Sequence, residues 1–348
     1  MIAFDPNSPL GSETGIFGLP HDERDAALVF LPVPWEATTS YGGGTARGPR
    51  AMLAASGQID LFDREVDRPY RPGIFMRKEA AIVRSWNRTA KSAAQKVIKA
   101  RGQAGSKKEL KKSLETANRL GDALNDWVYG ETKTLLSAGK IVGVVGGDHS
   151  VPYGAYRAVG EAHGPFSLLH FDAHSDTRAS YQGLTWSHAS IMRNALTTIP
   201  HITRITQVGI RDYCEEEHDF LKTLGPRASV FFDHVLAARR FAGKPWDETA
   251  SEIVATLSEK VWVSFDIDAL DPKLCPHTGT PVPGGLDFNE AVRLIALTAR
   301  SGRTIVGFDL VEVAPGGRSD WDANVGMRLL YKLATWTFLS RGLCALRG

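Results

Sequence analysis

Three short runs of the chain carry side chains suited to holding divalent metals. They are Gly146-Gly147-Asp148-His149-Ser150, Asp172-Ala173-His174-Ser175-Asp176 and Asp266-Ile267-Asp268. In an extended chain, residues i, i+2 and i+4 project to one side. Asp172, His174 and Asp176 can therefore converge on a point. Asp266 and Asp268 can face them from a neighbouring segment, and His149 adds a second imidazole. A single zinc site takes about three or four protein ligands. Four carboxylates and two imidazoles thus imply two ions, with some carboxylates bridging. Mixed oxygen and nitrogen donors without thiolate suit Mn2+, and Ni2+ is the other candidate. Two such ions share a hydroxide and bring its pKa towards neutral, which is the chemistry of metal-assisted hydrolysis.

The elements that must position these residues are legible as apolar, β-branched runs. Each ligand run follows one: Ile141–Val145, Phe166–Phe171 and Val261–Phe265. Ala27–Val33, Ile205–Ile210 and Thr304–Phe308 are runs of the same kind. Helical patterns occupy Leu110–Leu136, Pro152–Ala162, Asp247–Ser258, Asn289–Ala299 and Val325–Leu339. Buried strands alternating with helices predict an α/β fold, a mostly parallel sheet covered on both faces. In such a sheet ligands bind beyond the carboxyl ends of the strands, where all three runs fall. The stretch Asp63 to Lys140 differs, with Lys and Arg dense between Arg84 and Lys112. It reads as a basic, helical segment, about 64–140, either a solvated surface or a docking face.

Composition limits the function classes. The chain has 348 residues, 43% hydrophobic and 23% charged, with a net charge of +2. That balance argues against a general binder of nucleic acid or membrane surfaces. The three cysteines, Cys214, Cys275 and Cys344, are few and far apart. No disulfide framework is expected, and a reducing cytoplasm is the expected compartment. No apolar run reaches the ~20 residues needed to span a bilayer. The N-terminal residues lack the pattern of a secretory signal. One domain over 1–348 is expected, with an N-terminal extension over about 1–25.

The three runs, with Ser264-Phe265-Asp266-Ile267-Asp268-Ala269-Leu270-Asp271-Pro272, resemble the signatures of the ureohydrolases, the arginase and agmatinase family. Pro34-Trp35 with Gly42–Pro49 resembles the family's N-terminal loop, and Thr278-Gly279-Thr280-Pro281 the loop after the third signature. The resemblance implies a three-layer α-β-α arginase-like fold and hydrolysis of a guanidinium C–N bond, giving urea or a substituted urea plus ammonia or an amine. It implies one ion on His149, Asp172, Asp176 and Asp266, and another on His174, Asp172, Asp266 and Asp268. Asp176 would also orient the bridging hydroxide. Glu312 matches the family's guanidinium-binding glutamate, and His188 its active-site histidine, a proton shuttle. A homotrimer or hexamer follows from the same resemblance, and a hetero-oligomer with a paralogous chain is the other possibility.

Charge independently favours a cationic substrate. Four carboxylates and a hydroxide carry about −5 against +4 from two divalent ions. Arginases carry an asparagine where this chain has Arg178. A fixed cation there disfavours agmatine and suits a carboxylate tail or no tail at all. The run Ser187–Met192 and Leu274-Cys275-Pro276-His277 more closely resemble a branch acting on free guanidine or small alkylguanidines or biguanides, whose members resemble nickel enzymes. Trp186, two residues before His188, is expected to face the same pocket and close it over a short substrate. Agmatinase, guanidino-acid hydrolase and formimidoylglutamase are the alternatives within this chemistry. A one-zinc deacetylase and a non-catalytic supporting subunit are the alternatives outside it.

Overall fold

Side chains alternate across a buried strand, so each strand feeds two cores. The computed structural model describes residues 4–7, 15–39, 41–102, 107–317 and 319–348. Residues 1–3 and 8–14 of the expected N-terminal extension lie outside them, as do 103–106 of the basic segment. The strands are β1 (Leu28–Val33), β2 (Ile74–Met76), β3 (Ile141–Gly146), β4 (Phe166–Phe171), β5 (Ile202–Ile210), β6 (Ala228–Phe232), β7 (Lys260–Asp266) and β8 (Thr304–Val311). The helices are α1 (Gly48–Ala55), α2 (Ala81–Lys99), α3 (Lys108–Ser137), α4 (Tyr153–His163), α5 (Ile191–Thr198), α6 (Glu215–Thr223), α7 (Asp233–Phe241), α8 (Trp246–Ala255), α9 (Phe288–Arg300) and α10 (Trp321–Ser340).

The strands form one sheet in the order β2-β1-β3-β8-β7-β4-β5-β6. Every ladder is parallel, as the strand-and-helix alternation predicts. Leu28 and Phe30 of β1, with Val261, Val263 and Phe265 of β7, point into a core shared with α8, α9 and α10. Val29, Leu31 and Trp262 point the other way, into a core with α3, α4 and α5. This is the three-layer arrangement, with helices on both faces of the sheet. Gly143 has a packing reason in β3: a Cβ there would lie 2.7 Å from the Phe30 ring and 2.8 Å from that of Phe308.

The segment expected to be helical opens with the short strand β2 and is otherwise an α2–α3 pair. It buries Val83, Ala90 and Val97 on one helix and Ala117, Leu120, Leu124 and Val128 on the other. Its lysines lie on the remaining faces, as in an ordinary amphipathic helix. No helix among the described residues is long and apolar enough to cross a membrane. For function, the decisive feature is strand order. β3, β8, β7 and β4 are consecutive in the middle of the sheet, so the segments leaving their carboxyl ends meet although they are far apart in sequence.

Candidate metal centre and substrate cavity

Four loops converge there. His149 follows β3, Asp172 to Asp176 follow β4, Asp266 and Asp268 close β7, and Glu312 follows β8. His149 Nδ1 lies 2.9 Å from Asp172 Oδ2, 3.3 Å from Asp176 Oδ2 and 3.2 Å from Asp266 Oδ2. His174 Nδ1 lies 3.4 Å from Asp172 Oδ1 and 3.1 Å from Asp268 Oδ2. All six expected ligands are thus together, with Asp172 touching both imidazoles. Among the described residues, two groups lie within ligand distance, His149, His170, Asp172 and Asp176, and Asp172, His174 and Asp268; the expected ligand Asp266 belongs to neither.

Backbone donors orient the carboxylates. Asp172 Oδ1 accepts from the His174 N–H at 2.6 Å, and Asp268 Oδ1 from the Ala173 N–H at 3.0 Å. Asp266 Oδ1 accepts from the Asp268 N–H at 2.9 Å. His170 was not expected here. Its Nε2 lies 2.8 Å from Asp172 Oδ2, and Gln207 holds its Nδ1 at 3.0 Å. The spacing rule applied backwards, from Asp172 to the residue two before it, points to it. On the far side of His149, Nε2 meets Ser264 Oγ at 2.9 Å. Ser264 in turn donates to Asp309, which also accepts from Trp262 Nε1 at 2.6 Å.

The electrostatics fit divalent cations. Burial and the charge of Asp172 push Asp176 up to about 7. Burial with Asp268 and Asp172 raises Asp266 well above the carboxylate range. Burial also opposes ionisation of Asp172, but His149, His170 and His174 outweigh it and hold it low. Carboxylates crowded this closely need positive charge among them to stay ionised. Asp268 Oδ2 is buried and has no hydrogen-bond partner among the described residues, although His174 Nδ1 is 3.1 Å away. Two donor atoms that face each other without a hydrogen bond are disposed as ligands. The donor set therefore fits the two ions expected.

Glu312 is fixed at both ends. Its N–H donates to Gly147 O at 2.7 Å, and its carbonyl accepts from Thr278 Oγ1 at 2.8 Å. Its Oε1 accepts from the His149 N–H at 3.0 Å, while Oε2 is buried without a partner among the described residues. Burial with Asp266, Asp148 and Asp268 raises its pKa well above the usual range. Both Glu312 (φ 61°) and Asp176 (φ 56°) occupy the left-handed region. That conformation is strained for residues with a Cβ and marks functional positions when the surroundings enforce it.

Beside the cluster opens a cavity of about 190 Å3. His174, Asp176, His188, Arg178 and Tyr181 line it. Burial and the nearby His174 push His188 down to about 4, so its imidazole is neutral at pH 7. Arg178 lies with Nε 3.6 Å from Glu217 Oε2 and its guanidinium 5.6 Å from the Tyr181 ring centre. It both lines the cavity and meets an acid. Asp212 and Tyr213, which follow β5, also line it. The run Ile205–Ile210 was legible as a strand, so its carboxyl end was the available signal for them. Nothing in the sequence marks Tyr181.

Trp186 requires a correction: it does not line the cavity. Its Nε1 donates to Asp122 at 2.5 Å, its ring centre lies 4.6 Å from that of Tyr153, and a Cβ on Gly121 would be 2.8 Å from the indole. It packs against α3 and α4. The expectation assumed an extended chain from 186 to 188. Instead Ser187 and Ser190 form reciprocal caps on a tight turn at His188–Ser190, which sends the two side chains different ways.

The sequence model described as the Arginase family matches residues 26–335. The chain is 35% identical over 297 residues to N(1)-aminopropylagmatine ureohydrolase of Thermus thermophilus, covering 85% of each. It is 30% identical over 327 residues to proclavaminate amidinohydrolase of Streptomyces clavuligerus, covering 91% of each. The solved structure of proclavaminate amidino hydrolase from Streptomyces clavuligerus shares the fold. It has a TM-score of 0.74 over 96% of this chain and 100% of that one, at 24% identity.

Proposed function

The chain belongs to the arginase family, hydrolases of amidino and guanidino groups with a dinuclear divalent metal centre, and from that premise we propose that it hydrolyses free guanidine or a small alkylguanidine or biguanide. The observation that carries this reading is the cavity. At about 190 Å3 it has room for about six waters, and Arg178 stands in its wall. A short guanidinium fits that space. A second cationic end would meet Arg178.

His149, Asp172, Asp176 and Asp266 would hold one ion, and His174, Asp172, Asp266 and Asp268 the other. Bound there, Mn2+ or Ni2+ supplies Lewis acidity that activates a water for attack on the guanidinium carbon. Glu312 is not itself among the residues lining the cavity; its unpaired Oε2 lies against Gly279, next to the lining Thr280, and would there receive the planar guanidinium N–H donors, which suit a carboxylate. His188, neutral at pH 7, would take up the proton released by the attacking water and pass it to the departing amine or ammonia. Asp176 orients the attacking water. The cytoplasm, read from the few and separated cysteines, and a homo-oligomer, trimer or hexamer, implied by the family resemblance, complete the reading.

A second reading is hydrolysis of agmatine or an aminopropylagmatine. It is favoured by Asp212, an exposed carboxylate at the cavity, which would receive a distal ammonium. One panel separates the two. The protein is loaded with Mn2+ or Ni2+ and offered guanidine, methylguanidines, a biguanide, guanidinoacetate, guanidinobutyrate, arginine and agmatine, with urea or substituted urea measured. Highest kcat/KM on the short compounds is expected. Preference for agmatine would transfer the assignment to the second reading. No turnover of any guanidino compound with either metal would refute both.

A further inference from the structure

We propose that Thr38 and Asp148 are a positioning pair that fixes the tautomer of His188, leaving Nε2 as its proton-accepting nitrogen. The proposal rests on His188 acting as the proton carrier described above. Thr38 lies in the turn after β1, and both it and Asp148 are buried.

The argument is a count of donors and acceptors. Asp148 Oδ1 accepts from the Ser150 N–H at 3.1 Å and the Ser150 hydroxyl at 2.5 Å. Asp148 Oδ2 accepts from the Thr38 N–H at 3.4 Å and the Thr38 hydroxyl at 3.3 Å. Every partner of this carboxylate is a donor, so it acts as an acceptor only. A threonine hydroxyl has one proton and two acceptor sites. The proton of Thr38 is committed to Asp148. Its acceptor sites face His188, whose backbone N–H lies at 3.3 Å and Nδ1 at 3.2 Å. A backbone N–H can only donate. Nδ1 can pair with the remaining lone pair only as N–H. The neutral imidazole therefore carries its proton on Nδ1, and Nε2 is bare. In the other tautomer, lone pair would face lone pair.

The pair is held against drift. The Asp148 N–H donates to Trp35 O at 2.7 Å. A Cβ on Gly147 would lie 1.7 Å from that carbonyl, so only glycine allows the two loops this close. Further along, Glu36 Oε2 accepts from the Gly44 N–H at 2.5 Å and the Ala46 N–H at 3.2 Å. Lys91 of α2 pairs with the same carboxylate. The turn that presents Thr38 is thus clamped from both sides before any substrate arrives, the condition for positioning a proton carrier.

The test uses the full chain loaded with diamagnetic Zn2+ for spectroscopy and with Mn2+ or Ni2+ for kinetics. Nitrogen-15 labelled histidine reports the tautomer, with His188→Gln identifying the signal. The expected result is an Nδ1–H tautomer in the native chain and a mixture in Thr38→Val. kcat should fall on the order of tenfold or more, with KM changed by less than about twofold. Thr38→Ser should restore both the tautomer and most of kcat. Should the valine variant not fold, Thr38→Ala carries the same readouts. An Nε2–H tautomer in the native chain, or a variant that raises KM while kcat stays, would overturn the proposal. Failure of the native enzyme to hydrolyse guanidines would instead sink the function reading, and the tautomer signal would still decide this one.

Discussion

The backbone N–H of His149 donates to Glu312 Oε1 at 3.0 Å, joining residues 163 positions apart. The peptide of a residue proposed to hold a metal thereby orients the carboxylate proposed to receive the substrate. One oxygen is used for anchoring and the other stays free. Glu312→Gln keeps an oxygen for the anchor and removes the charge. A charge-assisted hydrogen bond contributes about 1.5–3 kcal/mol, so kcat/KM should fall roughly 10- to 100-fold, with two ions still bound. Steady-state kinetics beside metal analysis checks this. Unaltered kcat/KM would remove Glu312 from substrate binding.

Removing the metals should loosen the fold. Asp266 lies 3.2 Å from His149 and is crowded by Asp268 and Asp172. Without cations these buried charges repel. Chelation should lower the melting temperature by several degrees, and added Mn2+ or Ni2+ should restore it, because a ligand of the native state alone stabilises that state. Asp266→Ala should retain fewer than two ions per chain. Two ions in that variant would show that the ligand assignment is wrong.

A prediction about pH concerns Asp63, remote from the site. Burial pushes its carboxyl up, but Lys332 at 2.6 Å and the N–H groups of Glu65 and Val66 outweigh this and hold it below its ordinary value. A depressed carboxyl stabilises the fold above its unfolded pKa of about 3.9 and loses that effect as pH falls through the native value. Asp63→Asn should therefore cost about 2 kcal/mol at pH 7 and progressively less below pH ~4. Melting curves across pH measure the difference. A deficit that does not shrink in acid contradicts the assignment.

Trp186 should matter for stability and not for substrate choice. It is partly buried against Gly121 and Tyr153 and bonded to Asp122. Trp186→Ala should cost about 2–3 kcal/mol. It should change kcat/KM for methylguanidine and agmatine in equal proportion. A selective loss on the short substrate would return Trp186 to the cavity.

The site was largely legible because its ligands are clustered in sequence. Asp172, His174 and Asp176 lie within five residues directly after a strand whose bounds, Phe166–Phe171, the apolar run marks correctly. Strands β2 and β6 were not legible. β2 has three residues, and β6 is half-buried at the sheet edge without the fully apolar run of a central strand. Thr38 and Tyr181 are single polar residues in loops, and only the sheet order gives them neighbours. Trp186 failed because a two-residue alternation holds in extended chain and not across a capped turn.

The left-handed backbone at Asp176 and Glu312 has a consequence for engineering. Each such residue stores on the order of 1–3 kcal/mol, which glycine would release at no steric cost. A library screened for heat resistance in metal-free protein should therefore accumulate glycine at 312 and 176 and return hardy, inert proteins. Among the six left-handed residues with a Cβ in the described residues, these are the two that a breeder of tougher variants must hold fixed.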